Sequence, residues 1–72
     1  MKDKVYKILR LVLDCEFDED VSQENCEEWD SMNHINIVLE LQSEFGFKVP
    51  VEDIEKLVSF KAILLYLENK FN

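Results

Sequence analysis

Trp29-Asp30-Ser31-Met32, with the run from Ile35 to Phe47 behind it, decides how this chain is read. An acidic segment without periodicity ends there and a helical one begins. His34, Ile37, Val38, Leu41 and Phe45 recur at helical spacing and share one face, which predicts a helix over 31–45. Asp30 or Ser31 can accept a hydrogen bond from the unpaired amides of its first turn. Gly46 suits the left-handed position that closes such a helix. Met32, Ile35 and Leu39 fall on a second apolar stripe. Either both stripes are core because a small bundle wraps the helix, or the second stays partly exposed as an apolar landing strip beside Ser31.

Upstream, carboxylates crowd the segment from Asp14 to Asp30, and Phe17 and Val21 are placed to pin it onto a core. Before it, Val5, Ile8, Leu9, Val12 and Leu13 form one stripe and predict a first helix over 3–14 with Asp3 as its N-cap. Downstream, Pro50 biases Val49 away from helix, so Phe47 to Pro50 reads as an extended connection. Residues 52–57 suffice for a short helix with Ile54 and Leu57 inward. Ser59 is a good N-cap for a last helix over 60–70, with Phe60, Ile63, Leu64 and Leu67 as its stripe. The expectation is an all-α chain, a single domain over 1–72. It is a small four-helix bundle with a long acidic loop between helices 1 and 2 and a short third helix. Its core draws on the stripes of all four helices, Val12, Phe45, Ile54 and Leu64 included.

The composition narrows the function. Seventy-two residues make one domain, and a chain this short buries only about 60% of its unfolded surface. Eight basic residues against sixteen acidic ones leave a net charge of −8. That charge repels phosphate backbones and anionic lipid, and a partner with a basic patch is its complement. One Gly and one Pro suit helices rather than a many-turned β fold. Cys15 and Cys26 lack the close spacing of a metal motif, so no metal site is expected and each thiol is read as free, buried and inert. No apolar h-region follows Met1-Lys2-Asp3, and no apolar run approaches the roughly 18 residues of a membrane span. The expected state is a monomer in the reducing cytoplasm.

Asp30-Ser31-Met32, a helix ending Glu44-Phe45-Gly46, then Val49-Pro50, a short acidic helix and a last apolar helix resemble the acyl carrier proteins. Peptidyl and D-alanyl carriers share this module. The resemblance covers nearly the whole chain and is best from Trp29 to Tyr66. It implies that Ser31, with Asp30 as its motif neighbour, is esterified by 4′-phosphopantetheine from coenzyme A. A Mg²⁺-requiring phosphopantetheinyl transferase would do this, and the arm's thiol would carry acyl or aminoacyl groups as thioesters. It further implies loading, condensing or transferring enzymes whose basic patches dock on Met32, Ile35, Leu39, Glu40, Glu44, Glu52 and Asp53. The core around Val38, Leu41, Ile54 and Leu57 would part to shelter an acyl chain. The protein would be a carrier and not an enzyme. Asn33 and Asn36 are neutral where primary fatty-acid carriers typically have acids, Trp29 replaces a small residue, and Met32 replaces the usual Leu. These departures point to a dedicated pathway of lipid or secondary-metabolite type. Leu39-Glu40-Leu41-Gln42-Ser43 is similar to D-alanyl carriers while the downstream half is closer to ordinary acyl carriers, which leaves the branch open.

Four rival readings stand beside this one, the plainest being that Ser31 is only a helix cap. Ser31 and His34, three residues apart, could pair as nucleophile and base, but no third group or glycine-rich turn completes a hydrolase. The acidic loop fails the calcium-loop pattern, because frames from Asp14 or Asp18 put Glu19 or Gln23 where Gly is required. A non-catalytic acidic helical interaction module, with no covalent cofactor, is the serious alternative.

Overall fold

The computed structural model describes residues 1–71; Asn72, the end of the expected domain, lies outside the described residues. Four helices follow in order, α1 (Lys2–Leu13), α2 (Ser31–Phe45), α3 (Val51–Ile54) and α4 (Phe60–Phe71). They fill a body of 30 × 23 × 18 Å in which α1 packs against α2 and α4.

α1 begins one residue earlier than expected. The Met1 carbonyl accepts the Val5 N–H at 3.1 Å, so Met1 is the N-cap and no side chain caps the helix. Asp3 sits in the first turn instead, where its carboxylate still faces the positive end of the helix. The helix stops at Leu13 because Asp14 turns left-handed (φ 51°), a conformation short polar side chains tolerate. α2 has the predicted ends, and Gly46 at φ 68° closes it with its N–H on the Gln42 carbonyl. The Ser59 hydroxyl accepts the Ala62 N–H at 2.9 Å and caps α4 as expected.

α3 is shorter than the predicted 52–57. Pro50 has no N–H to continue a helix backwards, and after Ile54 the backbone tightens into three-residue turns, Lys56 N–H to Asp53 and Leu57 N–H to Ile54. Those turns carry Leu57 into the core while α3 itself buries no residue. The long loop is also more ordered than its sequence suggests. Ser22 and Ser59 form an antiparallel bridge, with Gln23 N–H on the Val58 carbonyl and Phe60 N–H on that of Val21. The loop's middle is thus stitched to the start of α4, and Val21 and Phe60 are both buried.

The core holds Val5, Leu9, Ile37, Leu41, Ile63 and Leu67, as the stripes predict. Val12, Phe45, Ile54 and Leu64 are only partly buried at its margin. Trp29, Val21 and Val49, expected in loops, complete it. The core does not wrap α2: Met32, Ile35 and Leu39 are 75%, 46% and 55% exposed. The second stripe therefore stands outside the bundle.

A polar latch joins the short helix to the last one. The Tyr66 hydroxyl donates to the Asp53 carboxylate at 2.8 Å, and Lys56 pairs with the same carboxylate at 3.0 Å. Burial first, then the bond to Asp53, pushes the Tyr66 phenol up to about 12. The Tyr66 bond and then that of Lys56 hold the Asp53 carboxyl below the usual carboxylate range. Because the folded phenol titrates above its unfolded value of about 10, the stability it contributes is complete below that value and is lost as pH rises toward 12. The carboxylate works the other way: its contribution is present above about pH 4 and is lost as pH falls through its depressed value. Tyr66→Phe is expected to remove the tyrosinate absorbance step near pH 12. It should also shift acid unfolding, followed by circular dichroism, to higher pH.

Candidate functional site at the start of α2

The segment entering α2 is held by three sets of hydrogen bonds. The Asp30 carboxylate accepts the Asn33 N–H at 2.8 Å, and the Asp30 carbonyl accepts that of His34. The Asn33 amide donates to the Glu28 carbonyl at 2.8 Å, which folds the loop's last turn against the helix. Beneath the surface, the Trp29 indole N–H donates to His34 Nδ1 at 3.0 Å, and His34 Nε2 bonds to the Ile54 carbonyl at 2.8 Å. Indole only donates, so Nδ1 must be the accepting nitrogen and Nε2 the one that carries hydrogen. This chain of bonds joins the loop, α2 and the end of α3.

The backbone geometry separates the two candidate caps. Asp30 is the N-cap, and Ser31 is the first helical residue, exposed. The Ser31 and Met32 N–H groups have no helical acceptor at this position, and the first turn of α2 holds no acidic side chain. An ester-linked phosphate at the Ser31 hydroxyl would therefore meet open solvent and the positive end of a helix. His34 cannot act as a base toward Ser31, since it is buried with both ring nitrogens committed.

The other site residues separate into two groups. Met32, Ile35, Leu39 and Glu40 are exposed on α2 beyond Ser31, and Glu44 is exposed with its carboxylate 3.5 Å from Lys4. Glu52 is exposed on α3, whereas Asp53 is held by Tyr66 and Lys56. Val38, Leu41 and Leu57 are buried and Ile54 is partly so. Sequence reasoning passed over two features. Trp29 is 1% exposed and anchors the site; a large apolar residue stranded among carboxylates was its one signal. Cys15 and Cys26 are not separately buried: both are half-buried with sulfurs 4.0 Å apart, an approach that eleven intervening steps of chain conceal. Burial, then the neighbouring Cys26 thiol, pushes the Cys15 thiol up to about 11.

No family model matches the chain. Similarity to individual proteins is clear. Over 40 residues it is 38% identical to an acyl carrier protein of Campylobacter hominis, covering 56% of this chain and 51% of that one. Over 61 residues it is 30% identical to an acyl carrier protein of Thermosynechococcus vestitus, covering 85% of this chain and 68% of the relative. The chain belongs to the acyl carrier protein family. An acyl carrier protein of Thermotoga maritima is 39% identical over 41 residues, again 51% of its length. The chain thus spans about half the length of two of these relatives and two thirds of the third. The four helices, one of them short, are consistent with the family fold. Membership implies a 4′-phosphopantetheine prosthetic group. No described helix is long and apolar enough to cross a membrane.

The Trp29–His34 bond has a measurable consequence. Trp29→Phe fills most of the same space but leaves His34 Nδ1 without a donor, an expected loss of about 1–3 kcal/mol of stability in urea unfolding. Combined with His34→Phe, it should lose less than the two single losses together, because each change alone strands the other's partner.

Proposed function

We propose that Ser31 is the attachment point of 4′-phosphopantetheine in a discrete carrier. The observation that supports this reading above others is the division of labour at the helix start. Asp30 does the capping, so the fold has no need of the Ser31 hydroxyl, and that hydroxyl is exposed. A serine serving only as a helix cap would stand one position earlier. A phosphopantetheinyl transferase would join the arm to Ser31 as adenosine 3′,5′-bisphosphate leaves coenzyme A. The arm supplies a thiol that holds acyl or aminoacyl groups as thioesters. Ser31 fixes its base, and the amides of the first turn face its phosphate.

Partner enzymes would dock on the exposed strip of Met32, Ile35 and Leu39, guided by Glu40, Glu44, Glu52 and Asp53 toward basic patches. The apolar strip offers the desolvated centre and the carboxylates the steering rim of such an interface. Of the acids, Glu40 and Glu52 are free to meet a partner directly, while Asp53 contributes its charge from within the Tyr66 latch. Val38, Leu41, Ile54 and Leu57 would part for an apolar cargo. With Asn33 and Asn36 neutral on this helix, and Asn33 engaged in folding back the loop, partners are read as belonging to a dedicated pathway in the cytoplasm, not to primary fatty-acid synthesis.

Intact-protein mass spectrometry after incubation with coenzyme A, Mg²⁺ and a broad-specificity phosphopantetheinyl transferase should show a phosphopantetheine-sized gain. Ser31→Ala should show none while keeping its circular dichroism spectrum. No gain in the wild type, beside a carrier that is modified, would leave the acidic interaction module as the better reading. Leu39→Glu is expected to change stability by less than about 0.5 kcal/mol, as exposed substitutions do. It should nonetheless lower the turnover of a cognate partner; loss of the fold instead would place Leu39 in the core.

A further inference from the structure

Cys15, Cys26 and Glu28 take no part in the carrier reading, yet the fold brings them together. The Cys26 sulfur lies 4.0 Å from that of Cys15 and 3.6 Å from Glu28 Oε1. One ligand atom from each of the three falls within 4.8 Å of the others. We propose that these three side chains bind a thiophilic divalent cation of the zinc class, tying the end of α1 to the entry of α2.

The spacing is the first argument. Tetrahedral zinc, with bonds of about 2.3 Å to sulfur and about 2.0 Å to oxygen, sets two sulfurs about 3.8 Å apart and a sulfur and an oxygen about 3.5 Å apart. The observed 4.0 and 3.6 Å are within a few tenths of an ångström of that arrangement. A disulfide would need the sulfurs to close to about 2.05 Å and would need an oxidant. Access is the second argument. Cys26 and Glu28 line a solvent-open cavity of ≈ 370 Å³ that also carries Glu16 and Glu27, so water can complete a fourth position. The donor set is the third. Two sulfurs exclude calcium and magnesium, which take oxygen ligands, and favour a softer ion.

Binding is a balanced exchange: each thiol gives its proton to solvent as its sulfur–metal bond forms. Two thiolates and one carboxylate around a divalent ion leave one net negative charge, in keeping with the surface. The position gives the ion a role. Cys15 follows Asp14, the closing residue of α1, and Glu28 precedes Trp29 and supplies the carbonyl that holds Asn33. An ion here would brace the loop three residues before Ser31.

The test is a Co²⁺ titration of the full chain, before and after addition of the arm at Ser31, with a phosphine reductant present. The expected result is thiolate-to-cobalt charge-transfer absorption saturating at one ion per chain in both forms. Zn²⁺ should abolish it by displacement and raise the melting temperature. Cys15→Ser and Cys26→Ser should each lose most of the band. Glu28→Gln should keep a band with affinity lowered by roughly tenfold or more, the scale at which even supporting groups act. Absence of the band in wild-type chain with both thiols free would overturn the proposal. So would ion binding of equal affinity in the double serine variant, which would assign the ion to the loop carboxylates alone. Neither result depends on whether Ser31 is modified.

Discussion

The hydrogen-bonded chain from the Trp29 indole through His34 to the Ile54 carbonyl is the constraint on which the site depends. Each member solves a problem the others create. A buried indole N–H needs an acceptor, a buried imidazole needs a partner at each nitrogen, and the carbonyl where α3 ends needs a donor. The three needs are met together with a single tautomer, and no buried side-chain N or O among the described residues lacks a partner. In a chain of 72 residues, where total stability is of the order of 5–15 kcal/mol, one orphaned group would cost a sizeable fraction of it.

That economy explains why Ser31 can be exposed and still well placed. Its backbone is fixed from both sides, by Asp30 capping Asn33 and by Trp29 buried just before it. Neither device uses the serine hydroxyl. The last turn of the loop is folded back through Asn33, so the approach to Ser31 is also determined. A tethered arm needs an attachment point that stays put while the arm moves, because the gain in effective concentration depends on where the tether begins.

Much of this was legible in the sequence, and the failures have physical causes. The stripes of α1, α2 and α4, the Gly46 closure and the Ser59 cap follow from local rules, and all are present. Asp30 and Ser31 were both possible caps by residue type, and only the backbone geometry separates them. The short α3 was over-extended because Leu57 reads as an inward helical position, whereas a tight turn delivers it to the core. The loop was legible only in part: Phe17 and Val21 pack against the core, as expected of apolar residues set among its carboxylates. The rest of its structure depends on a bridge between Ser22 and Ser59 and on burial of Trp29. Such contacts between distant segments leave no periodicity behind. The meeting of Cys15 and Cys26 is hidden for the same reason.

Charge completes the connection between fold and function. The surface ion pairs are each worth little, about 0–1 kcal/mol, but their placement is uneven. Lys2, Arg10 and Lys61 reach from α1 and α4 to Glu19, Glu16 and Asp20, all in the first half of the loop. Among the described residues no ion pair reaches Glu27, Glu28 or Asp30, the acids just before Ser31. The chain's own cations thus hold down the early loop and leave an uncompensated negative field at the approach to the serine. The early loop has part of its charge offset by these exposed pairs. The late loop keeps its charge, and with it the attraction that would bring a basic partner, or a cation, to the part of the surface that holds Ser31.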